Sequence, residues 1–152
     1  MSHKLIEQID FERDQLRQLL AESRELVENS RRKAPAAAER WALGAILHAF
    51  YNGIENILRR IAAAYDRKPE NAGQWHIGLL NQMAEPTETR RKVISPELLT
   101  VLKKYLAFRH LFRSIYTHEL RWEPMQELVY GVDHSLKMFD DEISAFCKEI
   151  EE

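Results

Sequence analysis

From Ser2 to Arg32, the residues Leu5, Ile9, Leu16, Leu19, Leu20, Leu26 and Val27 recur on a largely three- to four-residue spacing. That period gathers apolar side chains on one side of a helix, with charges of both signs such as Glu12, Arg13, Glu22 and Arg24 between them. Turn formers are scarce: the 152 residues include only 5 Gly and 5 Pro. An average chain carries about 7% Gly, so this one suits long helices joined by few loops.

The helical reading continues along the chain. Pro35 ends the first helix, and Ala36 to Tyr65 forms a second whose apolar side includes Trp41, Ile46, Leu47, Phe50, Ile54, Ile57, Leu58 and Ile61. Asp66 to Gln74 reads as a loop, with Pro69 and Gly73 as breakers. Trp75 to Met83 forms a short third helix, and Glu85 to Ile94 a polar, mobile connection. Ser95-Pro96-Glu97 is a helix start, with Ser as N-cap and Pro at the first helical position. The fourth helix runs to about Thr117–Leu120, Trp122-Glu123-Pro124 breaks it, and a fifth covers about Pro124 to Lys148. No strand pattern or internal repeat interrupts this order. The expected fold is all-α, an antiparallel bundle of four long helices and one short one, forming a single domain over residues 1–152.

Composition excludes several classes. No apolar run approaches the roughly 18–20 residues of a membrane span, and Met1 to Gln15 contain no signal-peptide hydrophobic block. The one cysteine, Cys147, forms no internal disulfide and no Cys-rich zinc site, which fits a reducing cytoplasm. With 22 Lys+Arg against 24 Asp+Glu the net charge is −2, so the chain lacks the strongly basic balance of many nucleic-acid binders.

The fourth helix carries the pattern least like a core. Leu98, Leu102, Tyr105, Arg109, Arg113 and Tyr116 share one side of it. The first three suit burial, whereas the next two are arginines. Phe108, Leu111, Phe112 and Ile115 make a separate apolar face. Two readings stay open at this level. The arginines are exposed or paired with acids such as Glu55, or they form an anion site with His110, Ser114, Tyr116 and His118 within a turn or two. Two guanidiniums one turn apart can grip a phosphate through paired hydrogen bonds.

The run Phe108-Arg109-His110-Leu111-Phe112-Arg113-Ser114-Ile115-Tyr116 resembles the signature of HEPN domains, specifically the HepT-like toxins of bacterial toxin–antitoxin pairs. Their motif reads Arg, a polar residue, three more residues, His, one residue, Tyr. Arg109, His110 and Tyr116 match it, while Ser114 falls in the His slot. An alternative register pairs Arg113 with His118 but places Ser114 in the polar slot and Leu120 where Tyr should be. The segment from Leu47 to Asn56 is similar to part of an early long helix of these proteins.

The resemblance implies metal-independent endoribonuclease chemistry on RNA, with no cofactor. It also implies a homodimer that brings two motifs to a shared cleft, and a small nucleotidyltransferase antitoxin that adds nucleotide to the motif Tyr, here Tyr116. The catalytic candidates are Arg109, His110, Ser114 and Tyr116, with Arg113 and His118 in the other register. Serine has no group that titrates near neutral pH and cannot replace histidine in proton transfer. Either His110 or His118 has taken over that role, or the chain is a weakened or non-catalytic helical module that still docks nucleic acid or a nucleotidyltransferase.

The remaining features read more simply. His3, His48, His76, His110, His118 and His134 include no His-x-x-x-His pair, so no metal is expected. His48 and Glu55, seven residues apart on the second helix, point into a cleft or make a polar contact within the bundle. Arg59-Arg60 is a local basic cluster able to contact RNA, and Arg90-Arg91-Lys92 reads as a solvated loop. Trp41, Trp75 and Trp122 read as packing anchors, and Cys147 as a small apolar residue.

Overall fold

The computed structural model describes residues 2–66, 75–116 and 119–151, and these form six α-helices with no strand among them. In chain order they are α1 (Ser2–Arg32), α2 (Ala37–Tyr65), α3 (Trp75–Met83), α4 (Pro96–Arg113), α5 (Glu123–Tyr130) and α6 (Val132–Glu151). The expected all-α bundle is therefore present. It differs from the sequence reading in three places: the end of the fourth helix, the division of the last, and the connection between the third and fourth.

A short turn around Pro35 folds α2 back along α1, and the Glu39 carboxylate accepts the Ala36 N–H at 2.8 Å to close the start of α2. α2 is the central element, packing against α1, α3, α4 and α5. Leu43, Leu47, Phe50, Tyr51, Ile54, Ile57, Leu58 and Ile61 are all buried along it. Each such aliphatic side chain removed from water contributes about 1.5–3 kcal/mol, which fixes α2 as the axis on which the other helices are positioned. α6 closes the bundle over α1, where Arg13 donates to Asp140 at 2.9 Å and to Ser144 at 2.6 Å.

The start of α4 is as the sequence reads it. Ser95 accepts the Leu98 N–H at 3.1 Å and, through its own N–H and hydroxyl, donates to both oxygens of Glu142 on α6. The end of α4 is a correction: the helix stops at Arg113, not at 117–120. Ser114 is its C-cap, with its N–H on the Leu111 carbonyl. The Ser-Ile-Tyr-Thr run has weak helix propensity, because β-branched and aromatic side chains lose rotamers against the preceding turn and serine bonds to nearby backbone. The last helix is also corrected. α5 ends at Tyr130, and Gly131 separates it from α6.

The connection between α3 and α4 is not the solvated, mobile loop expected. Arg90, Val93 and Ile94 are buried in it. Arg90 donates to Asp66 at 2.7 and 2.6 Å and to the carbonyls of Glu85, Arg91 and Gln82. Cys147 is buried as expected, and burial pushes its thiol up to about 11.

Candidate functional site

Three elements meet where the last turn of α4 lies beside the middle of α2. On α2, His48, Asn52 and Glu55 are spaced four and three residues apart and so share a face, with Tyr51 beside them. On α4, the last turn carries Arg109, His110 and Arg113. On α3, the first turn carries Trp75 and His76.

The apolar half of the fourth-helix seam is buried as predicted, with Leu98 and Leu102 at 0% and Tyr105 at 2% exposure. Arg109 is the point where the seam turns polar. It is half-buried and its Nε donates to Asn52 Oδ1 at 2.9 Å. Its Nη1 is buried and has no hydrogen-bond partner among the described residues, and the same holds for His48 Nδ1. Burial, then the charges of Arg109 and Arg113, hold His48 below the usual imidazole range. Burial comes first for His110 too, followed by His76, Arg109 and Arg113, and together they lower it against the opposing pull of Glu55.

Glu55 is buried and does not pair with the arginines. Its Oε2 lies 2.7 Å from His76 Nδ1. Burial, with the Glu55 carboxylate next, raises the Tyr51 phenol well above its usual range. The His76 ring lies 3.7 Å from that of Trp75, stacked upon it, and Arg59 stands over Trp75 at 5.0 Å. On its other flank His76 meets His110, ring centroids 5.8 Å apart and nearly perpendicular. Glu55, His76 and His110 thus lead from the buried face of α2 to the exposed end of α4.

The separate apolar face is kept in part. Phe108 is buried, and Phe112 lies 5.1 Å from Trp41, 5.6 Å from Phe108 and 5.8 Å from His48. Leu111, expected on that face, is 45% exposed. Gly44 lets Phe112 approach this closely, since a Cβ there would stand 2.5 Å from its ring.

Among the candidates from sequence, Arg109, His110 and Arg113 come together. Ser114 sits beyond the helix end, and its hydroxyl donates at 3.4 Å to the His110 and Leu111 carbonyls of its own helix. Tyr116 lies past the end of α4 and is 73% exposed, so the helical seam does not extend to it. His118 lies outside the described residues. Sequence reasoning gave His76 and Asn52 no role. Asn52 had a signal, since it lies midway between His48 and Glu55 on one face of a helix. His76 had none, because its partners come from two other helices. Among the described residues no group of three or more His, Cys, Asp or Glu side chains is arranged to hold a metal ion. No helix of the described residues is long and apolar enough to cross a membrane.

No curated protein and no solved structure matches the chain. A family described as HepT-like protein matches residues 42–150, which include α4 and nearly all of α2 and α6. That span covers most of the chain and includes His48, Asn52, Glu55, His76, Arg109, His110 and Arg113. The chain belongs to the HepT-like family of the HEPN superfamily.

Proposed function

We propose that the chain is the toxin half of a toxin–antitoxin pair, a metal-independent endoribonuclease. In this reading it acts on RNA as a homodimer in the cytoplasm and is neutralised by a nucleotidyltransferase antitoxin. The observation that carries the reading is the meeting of Arg109, Arg113 and His110 at the end of α4 beside the polar face of α2. Asn52 holds the Arg109 guanidinium through Nε and so fixes the direction in which its charge is presented at the end of α4. Arg113, one turn on, adds a second charge where negative charge grows during attack on phosphorus. Burial and neighbouring cations lower His110, so its imidazole is neutral at neutral pH and suited to take the 2′-hydroxyl proton. The exposed Tyr116 is the position that accepts nucleotide from the antitoxin.

Incubating the purified protein with RNA tests this against an Arg109→Ala variant. We expect the variant to lose about 10²–10³-fold in cleavage rate, as when a preorganised donor to a transition-state oxyanion is removed. Equal background cleavage by both removes the enzyme.

Ser114 favours the second reading, a non-catalytic helical module that docks a nucleotidyltransferase or nucleic acid. Its hydroxyl is turned back onto its own helix carbonyls and has no titratable proton to give. Ser114→His separates the two readings. Ribonuclease activity that arises only in that variant identifies the native chain as the binding module.

A further inference from the structure

Cleavage of RNA by its own 2′-hydroxyl needs two proton transfers, one from the attacking oxygen and one to the leaving oxygen. Arginine stays protonated and performs neither. Ser114 sits in the motif's His slot with its hydroxyl on backbone carbonyls. On the ribonuclease reading above, His110 serves one transfer, and the second needs another imidazole within reach of the same phosphate. His48 Nδ1 is buried and its ring packs against Phe112. His76 is partly exposed, and its ring faces that of His110 across 5.8 Å.

We propose that His76 is the general acid of the reaction and that Glu55 is its positioning residue. This inference rests on the ribonuclease reading and adds a proton donor from α3 to a site otherwise built on α4. A carboxylate only accepts hydrogen bonds, so the 2.7 Å contact places a proton on His76 Nδ1 and leaves Nε2 to work on substrate. An imidazole held in this way by a buried carboxylate keeps both its tautomer and its orientation. Stacking on Trp75 restricts the ring further. When protonated, His76 forms an ion pair with Glu55 through Nδ1 and keeps Nε2–H as the proton to give, with the His110 ring 5.8 Å away.

The step balances without any further reactant. His110 takes the 2′-hydroxyl proton as the 2′-oxygen bonds to phosphorus. The bond from phosphorus to the 5′-oxygen breaks as the proton on His76 Nε2 passes to that oxygen. The products are a 2′,3′-cyclic phosphate and a 5′-hydroxyl, and proton exchange with water restores both rings. Glu55 and Tyr51 from α2, with Arg59 over Trp75, and Arg109 and Arg113 from α4 are the charged and titratable groups around His76 and His110.

The test uses the full chain and an RNA oligonucleotide, with kcat/KM followed against pH. His76→Gln should lose about 10²–10⁴-fold, the usual worth of a general acid. It should also lose the fall in rate at high pH that deprotonation of the acid produces. Glu55→Gln should lose less, since an amide oxygen still accepts from Nδ1–H, and its loss too should be confined to leaving groups that need a proton. An oligonucleotide carrying sulfur in place of the bridging 5′-oxygen has a leaving group that needs no proton. It should restore most of the rate to His76→Gln and none to Arg109→Ala, a pattern that a merely structural His76 would not produce. Wild-type rates from His76→Gln, or no rescue by the sulfur substrate while cleavage still depends on Arg109, overturn this proposal alone. Absence of Arg109-dependent cleavage in the native chain overturns the ribonuclease reading and the acid with it.

Discussion

Arg90 has no exposed side-chain surface, and Asp66 facing it is only 4% exposed. Asp66 also accepts from Gln82 at 2.6 Å, so one carboxylate joins the end of α2, the end of α3 and the connection to α4. Removing one partner of a buried pair costs about 3–5 kcal/mol, because the other charge stays buried without compensation. We expect Asp66→Ala to lose that much in urea unfolding, and a loss below about 1 kcal/mol would show that Arg90 relaxes to solvent. A run of Arg-Arg-Lys gives no sign of which member is buried, since the acid that selects Arg90 lies 24 residues earlier. The same limit governed the site. His48 and Glu55 were legible as one face because they lie on one helix. The Glu55–His76 contact was not, because it forms only when α3 is laid against α2.

At the scale of elements, the starts of helices were more legible than their ends. Ser95-Pro96 sets the start of α4 by local chemistry, whereas the stop at Arg113 combines weak propensity with a serine that turns back on the last carbonyls. The joint between α5 and α6 had no local signal beyond Gly131. Its stabilisation comes from α4, where the buried Tyr105 hydroxyl donates to the Leu128 carbonyl at 2.8 Å and lies 3.2 Å from Ser135 Oγ. Leu128 is in the last turn of α5, whose carbonyls have no partner within that helix. Tyr105 therefore satisfies a group that the interruption frees. Tyr105→Phe keeps the ring against Phe50 and removes only the hydroxyl. We expect it to cost about 1–3 kcal/mol, the penalty for a buried acceptor left unsatisfied. Amide exchange should quicken first around residues 128–135, and uniform quickening across all six helices would argue against a local joint.

For the whole molecule, a net charge of −2 weighs against nucleic acid only if distant charges act together. Charges more than a Debye length apart, about 8 Å in physiological salt, are largely screened from one another. Binding then follows the local field. At the proposed site that field comes from Arg109 and Arg113 one turn apart, with Arg59 over Trp75 near the start of α3. Each phosphate contact on a single strand releases about 0.7 of a counterion. A 2′-O-methyl RNA oligonucleotide has no free nucleophile, so its affinity can be measured across salt concentrations without cleavage. The logarithm of the association constant should fall linearly with the logarithm of salt concentration, despite the acidic overall balance. Arg113→Ala should make the slope shallower by about 0.7 for each protomer the strand touches. An unchanged slope would place the strand elsewhere on the bundle. A slope near zero in the native chain would mean that the paired arginines hold no phosphate, and the overall charge would then be the better guide.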